Sequence, residues 1–107
     1  MPELVEVAKV EELAPGTARV VTAGGRELAL VNVDGTFYAI DNECTHRGGN
    51  LGEGEINPDW SEGAIECPLH GSVFDVRTGE VLAPPATDPV RTYTVEVDAG
   101  VIKVSID

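Results

Sequence analysis

Apolar and polar residues alternate over short stretches of this chain, which is the pattern of a β-strand with one buried face. Arg26–Val33 and Thr36–Ile40 are rich in aliphatic, β-branched and aromatic residues that favour strands. Asp34-Gly35 lies between these two stretches, and Asp-Gly is among the strongest signals for a tight hairpin turn. The sequence therefore predicts an antiparallel β-hairpin over residues 26–40.

Several other segments are rich in β-branched and aliphatic residues and are bounded by turn signals such as Gly24-Gly25 and Asp98-Ala99-Gly100. The further predicted strands are Leu4–Val10, Ala18–Thr22, Ala64–Glu66, Ser72–Val76, Val90–Val97 and Val101–Ile106. No segment keeps a 3.6-residue apolar period for a dozen residues, so helix is expected only near Val10–Leu13. We expect an all-β fold, built as an antiparallel sandwich or barrel.

The 107 residues suit one domain spanning residues 1–107, and the 42% hydrophobic content is enough for a modest core. No apolar run reaches the roughly 18 residues that a membrane span needs. The start, Met1-Pro2-Glu3-Leu4, lacks the basic and apolar regions of a signal peptide. We therefore expect a cytoplasmic protein that does not enter a membrane.

The chain is acidic, with nineteen Asp and Glu residues against seven Lys and Arg residues and a formal net charge of −12. Such a surface repels nucleic acid and anionic membranes, so neither is expected as a partner. A protein partner with a basic docking face would be attracted to it. Alternatively, the charge serves only to keep the protein soluble and monomeric, and charge balance alone does not decide between the two interpretations.

The two cysteines and the two histidines of the chain fall into two close pairs. One pair is Cys44-Thr45-His46, and the other is Cys67-Pro68-Leu69-His70. Thiolate and imidazole are ligands for soft and borderline metals, so this constellation predicts a metal centre. Because both thiols belong to the motif, no structural disulfide is expected, which agrees with a reducing cytosol.

Two kinds of metal centre fit two cysteines and two histidines. Zinc accepts this ligand set, but zinc fingers usually group their cysteines together and their histidines together. Here each pair is mixed, which suits a binuclear centre in which each loop gives one ligand to each of two irons. The glycines that follow His46 do not have the spacing of a dinucleotide-binding or phosphate-binding loop.

The two ligand pairs, with the Gly71-Ser72 that follows His70, resemble the motif of the Rieske [2Fe-2S] proteins. The similarity extends through Phe74–Gly79, and Leu82–Ala86 is similar to the proline-containing loop that covers the cluster in that family. The resemblance spans about residues 33–86. It implies a Rieske-like antiparallel β-sandwich with a small cluster-binding subdomain, formed by two loops within about residues 41–86. It also implies one [2Fe-2S] cluster per chain.

Carried over residue by residue, the resemblance implies that Cys44 and Cys67 bind the inner iron, and that His46 and His70 bind the outer iron near the surface. Two ferric ions, two sulfides and two thiolates carry no net charge, whereas a cluster with four cysteines carries −2. An electron is added more easily to the neutral cluster, which raises its reduction potential relative to plant-type ferredoxins. The electron is expected on the outer, imidazole-bound iron.

The resemblance also bears on the reduction potential. High-potential respiratory members carry two additional cysteines that form a disulfide, and Gly49 and Leu69 stand at the matching positions. Ser72 matches a serine that directs its hydroxyl at the cluster, but Phe74 stands where those members have a tyrosine. Fewer hydrogen bonds to sulfur and an acidic surface both lower the potential. We expect a value in the low part of the roughly −150 to +300 mV range.

No nucleophile motif or carboxylate dyad is evident, and the sequence does not show a mononuclear iron site. The resemblance therefore implies a soluble one-electron carrier rather than an enzyme. Its expected partners are a flavoprotein reductase and a terminal oxygenase, and we expect it to be a monomer. Two alternatives stay open at this point: a small Rieske subunit of a larger oxidoreductase such as a nitrite reductase, and a structural zinc module.

Overall fold

The computed structural model describes residues 3–43, 49–56, 63–68, 71–84 and 86–106. Within these residues the chain forms short β-strands and two 3₁₀ turns, Val10–Glu12 and Leu51–Glu53. The strands are β1 (Glu3–Lys9), β2 (Ala18–Ala23), β3 (Arg26–Val33), β4 (Thr36–Asp41), β5 (Glu55–Ile56), β6 (Ala64–Glu66), β7 (Val73–Asp75), β8 (Val81–Ala83), β9 (Thr92–Tyr93), β10 (Val95–Asp98) and β11 (Val101–Ile106). None of the described residues belongs to a helix long and apolar enough to cross a membrane.

The strands form three antiparallel sheets. The first sheet has the order β1-β11-β10, the second β2-β3-β4-β9 and the third β5-β6-β7-β8. In the second sheet β4 pairs with β9, although the whole third sheet lies between them in sequence. The third sheet is thus inserted in sequence between two neighbouring strands of the second sheet. The prediction of an all-β antiparallel fold is confirmed.

Most predicted strands agree with the structure, and β3, β6 and β11 agree to the residue. The short helix expected near Val10–Leu13 is the 3₁₀ turn Val10–Glu12. The predicted strand Val90–Val97 is instead two strands, β9 and β10, which belong to different sheets. Two strands were not predicted: β5 and β8. Strand β8 includes Leu82 and Ala83, which were expected to belong to the proline-containing loop.

The Asp34-Gly35 turn has the geometry that its sequence predicts. Both residues have positive φ angles, 51° and 92° respectively. This is the type I′ arrangement, whose twist matches that of the flanking strands. The turn fixes the β3–β4 register, in which Val33 pairs with Thr36 and Leu28 pairs with Asp41.

The second sheet separates two apolar cores. The first core contains Leu28 and Leu30 of β3 together with Ile102 and Val104 of β11, all fully buried. The second core contains Ala29 and Val31, the alternate residues of β3. Their partners in the second core include Ile65 and Phe74 of the third sheet and also Cys67. Strand β3 is therefore buried on both faces and joins the two halves of the molecule.

A cluster of polar side chains lies on the second sheet where β4 ends. The hydroxyl of Tyr93 donates a hydrogen bond to Asp41 Oδ1 over 2.5 Å and accepts one from Arg26 Nη1 over 3.3 Å. The guanidinium carbon of Arg91 lies 5.0 Å from the centre of the Tyr93 ring. Burial, and secondly the hydrogen bond to Asp41, raises the pKa of Tyr93 above its ordinary value. The cluster links β3, β4 and β9 just before the chain enters the first predicted ligand loop.

Replacement of Tyr93 by Phe removes a hydrogen bond to a charged group, so we expect the free energy of unfolding at neutral pH to fall by about 1.5–3 kcal/mol. The raised pKa stabilises the fold below the unfolded-state pKa of about 10, and that contribution is lost as the pH rises through the folded-state pKa. The difference between wild type and variant should therefore shrink above about pH 10, as measured by urea unfolding. Tyr38→Phe is the control, because the described residues offer its hydroxyl no hydrogen bond. An equal pH dependence for both variants would contradict the prediction.

Candidate metal centre

Cys67 follows β6 directly and begins the loop that leads into β7. Its backbone N–H donates to the carbonyl of Ser72 over 2.7 Å, and the N–H of Gly71 donates to the carbonyl of Cys67 over 3.1 Å. These two hydrogen bonds close the base of the second predicted ligand loop. The loop is therefore a continuation of the β6–β7 hairpin, which determines where Cys67 lies.

The Cys67 side chain is 2% exposed and belongs to the second apolar core. A thiolate in such surroundings is costly unless a cation neutralises it, and a bound metal does this directly. Exclusion of water also suits an iron–sulfur group. The position of Cys67 therefore fits the buried sulfur side of a [2Fe-2S] cluster.

The other predicted ligands, Cys44, His46 and His70, lie outside the described residues, so their roles stay predictions. The stem of the first loop is described. Glu43 and Asn50 pair as an antiparallel bridge, which closes that loop across its base. Leu51, the next residue, is fully buried in the same core as Cys67. The structure thus brings the stems of both loops onto one core, as a shared cluster requires.

Ser72 connects the second loop to the chain segment that follows β8. Its side chain is fully buried, and its Oγ accepts a hydrogen bond from the N–H of Ala86 over 3.0 Å. A hydroxyl that accepts one hydrogen bond keeps its own proton to donate elsewhere. Ser72 therefore holds the proline-containing segment against the second loop and still has a donor for a sulfur acceptor.

Asp75 and Arg77 brace the hairpin that carries Cys67. Asp75 Oδ1 accepts hydrogen bonds from the backbone N–H and the Nε of Arg77 over 2.9 and 3.1 Å, and Oδ2 accepts one from Nη2 over 3.0 Å. These contacts with Arg77 lower the pKa of Asp75 below its ordinary value, although burial opposes the shift. The N–H of Gly79 also donates to the Asp75 carbonyl over 2.6 Å. Asp75 is thus a positioning residue at the end of β7.

Sequence reasoning placed Asp75 and Arg77 within the motif but did not predict their ion pair. The available signal was an Asp two residues before an Arg at a predicted turn, since aspartate often bonds the backbone two residues on. A second residue that sequence reasoning missed is Asn42, which is 2% exposed and lies two positions before Cys44. Nothing in the local pattern marks a buried amide at that position.

Three exposed carboxylates flank the first predicted ligand loop in sequence. Glu43 precedes the first loop, and Glu53 and Glu55 follow it; all three side chains are exposed. Glu55 belongs to the same sheet as the hairpin that carries Cys67. These carboxylates contribute negative charge at the stem of the first loop, which would favour a basic group on an approaching partner.

Known proteins share this architecture. A solved structure of the ferredoxin of carbazole 1,9a-dioxygenase from Nocardioides aromaticivorans IC177 superposes with a TM-score of 0.88 at 40% identity, covering 94% of this chain and 95% of that chain. A chain from a complex of reduced oxygenase and oxidized ferredoxin in carbazole 1,9a-dioxygenase gives a TM-score of 0.86 at 36% identity, with 95% and 92% coverage.

Sequence comparison agrees with the structural comparison. The chain is 41% identical over 100 residues to the 3-phenylpropionate/cinnamic acid dioxygenase ferredoxin subunit of Photorhabdus laumondii subsp. laumondii, which covers 94% of this chain and 91% of that protein. The predictions of a [2Fe-2S] cofactor and of an electron-transfer component rather than a catalytic subunit are confirmed. Residues 3–94 match the Rieske [2Fe-2S] domain, and the chain belongs to that family.

Proposed function

We propose that this protein carries single electrons from a flavoprotein reductase to the terminal oxygenase of a dioxygenase system. The observation that carries the proposal is the near full-length likeness to a chain from an oxygenase–ferredoxin complex, at 36% identity. The relative in Photorhabdus is likewise a dioxygenase ferredoxin subunit. Since neither likeness fixes the substrate of the oxygenase, the proposal names the reaction system and not its substrate.

The cluster would be held by Cys44 and Cys67 on one iron and by His46 and His70 on the other. When bound, it supplies a site that takes up and releases one electron. Cys67 places its sulfur in a core from which water is excluded. Ser72 holds the segment at Ala86 over the second loop, and its remaining proton can be donated to sulfur.

The expected partners have a basic docking face. The net charge of −12 and the exposed Glu53 and Glu55 near the ligand loops support this expectation. Electrostatic complementarity of this kind chiefly accelerates association. A monomer in the reducing cytoplasm is consistent with a chain whose two cysteines are both assigned to the cluster.

The alternative of a nitrite reductase small subunit has weaker support. A protein named as the small subunit of an NADH-dependent nitrite reductase from Mycobacterium tuberculosis superposes with a TM-score of 0.87, but its identity is 22%. That likeness supports the fold alone. The relatives at about 40% identity are dioxygenase ferredoxins, so they favour the first proposal.

Replacement of Cys67 by Ser should abolish cluster binding, because a hydroxyl is a harder and much weaker ligand for iron than a thiolate. Wild type should contain iron and acid-labile sulfide in the ratio of a [2Fe-2S] cluster, and its reduced form should give an EPR signal whose average g value is below that of all-cysteine clusters. The variant should lack iron, sulfide and visible absorption. Ser72→Ala is the matched control in the same loop, since it disturbs the Ala86 hydrogen bond but leaves every proposed ligand in place. A Cys67→Ser protein that keeps the wild-type spectrum would refute the assignment.

Electron transfer should depend on the acidic surface beside the loops. Conversion of Glu53 and Glu55 to Gln should slow reduction by the reductase of a related dioxygenase system roughly three- to tenfold at low salt, as measured by stopped-flow absorption. Glu3→Gln with Glu96→Gln is the control, because it changes the net charge equally on the first sheet. Salt should slow the wild type and bring the rates together. Equal effects of both pairs would mean that the charge near the loops does not guide docking.

A further inference from the structure

The first predicted ligand loop leaves β4 at Asp41 and returns to the second sheet at residues 50–53. Asn42 lies at the point of departure, and its side chain is 2% exposed. Its Oδ1 accepts a hydrogen bond from the N–H of Gly52 over 2.8 Å, and its Nδ2 donates one to Asn50 Oδ1 over 3.1 Å. One side chain thus joins the outgoing limb of the loop to the returning limb.

The backbone of Asn42 strengthens the same connection. Its N–H donates to the carbonyl of Glu27 over 3.2 Å, which attaches the outgoing limb to β3. Its carbonyl accepts from the N–H of Leu51 over 2.7 Å. With the described residues, Asn42 therefore forms four hydrogen bonds, one to β3 of the second sheet and three to the returning limb.

The returning limb has no room to move toward β2. A Cβ atom at Gly52 would lie 2.7 Å from Val20 Cγ2 and 2.9 Å from the Val20 backbone nitrogen, so the limb lies directly on that strand. Leu51 is fully buried in the second core. Packing against β2 fixes one side of the limb, and the hydrogen bonds to Asn42 fix the other.

Asparagine is the side chain that this position requires. The site needs an acceptor for the Gly52 N–H and a donor for Asn50, and a buried amide left without either partner would be costly. Aspartate offers acceptors only, so it would bury a charge and would pair with Asn50 only if the Asn50 amide turned its NH2 group away from Glu53. A purely apolar residue would leave the Gly52 N–H unsatisfied at the base of the loop.

We propose that Asn42 is a positioning residue that fixes the first ligand loop on the second sheet and so sets where Cys44 and His46 meet the pair on the other loop. This inference rests on the proposed ligand assignment. The reason is architectural: the first loop is anchored to the second sheet, whereas Cys67 belongs to the hairpin of the third sheet. The relative placement of the two ligand pairs depends on how firmly each loop is held to its own sheet.

The test compares Asn42→Ala with Asn32→Ala. Asn32 is a matched control because it is also buried, at 3% exposure, and its amide also donates once, to the Leu13 carbonyl, and accepts once, from the Gly35 N–H. It lies at the far end of β3, away from both loops. Both variants should lose thermal stability to a similar extent. Asn42→Ala alone should shift the midpoint potential and the EPR g values.

Cluster loss gives a second readout. With both variants held at the same interval below their unfolding midpoints, the visible absorption of Asn42→Ala should bleach roughly fivefold faster than that of Asn32→Ala. Asn50→Ala removes one of the two side-chain partners and leaves the Gly52 bond, so it should show a smaller effect in the same direction. If Asn42→Ala does not fold, Asn50→Ala decides the matter by the same measurements.

The inference is overturned if the potential, g values and bleaching rate of Asn42→Ala, or of Asn50→Ala in its place, match those of Asn32→Ala. Such a result would leave Asn42 with a role in stability alone. Failure of the ligand assignment itself is distinguishable, because wild type would then lack iron and sulfide or Cys67→Ser would keep its spectrum. Those measurements do not involve Asn42.

Discussion

The burial of β3 on both faces is the constraint on which the rest of the structure depends. Leu28 and Leu30 pack into the core shared with the first sheet, while Ala29 and Val31 pack into the core that contains Cys67. Because side chains alternate strictly along a strand, a shift of one residue would exchange these two sets and ruin both cores. The small residue Ala29 is matched to the second core and would leave a void in the first. Strand β3 thus determines how the first sheet and the third sheet are joined through the second sheet.

The burial of β3 on both faces also positions the two predicted ligand loops. Both stems rest on the second core, one through Leu51 and the other through Cys67. The polar contacts at Asn42, Ser72 and Asp75 then hold the backbone of each loop at points that apolar packing does not reach. Buried polar groups of this kind specify one arrangement when every member is satisfied. A metal centre built from two loops needs that specification, because ligands displaced by a fraction of an ångström bind less well.

The sequence predicted those parts of the fold that are decided locally. Asp34-Gly35 implies its hairpin because the turn chemistry and the strand-forming residues on either side act over a few residues. The pairs of Cys and His imply a metal centre for the same reason. Strand β5 has two residues, and no local pattern distinguishes it; it exists because Glu55 and Ile56 pair with β6. The break at Thr94 arises because β9 and β10 join different sheets. The role of Asn42 depends on Asn50 and Gly52, which only folding brings next to it. The role of Asp75 depends on the geometry of the turn to Arg77, which the sequence leaves open.

Charge near the predicted ligand loops bears both on the reduction potential of the cluster and on the binding of the proposed partners. Cys67 lies in an apolar core, so under the proposed ligand assignment the positive charge of the irons would offset its thiolate. Exposed carboxylates flank the first predicted ligand loop, and negative charge near a cluster disfavours the addition of an electron, so they would lower the reduction potential. Under the proposed function the same carboxylates would attract a basic partner, and salt would screen that attraction. A low reduction potential favours transfer of the electron to a bound acceptor, so under the proposed function one set of carboxylates would assist both the release of the electron and the association with a basic acceptor.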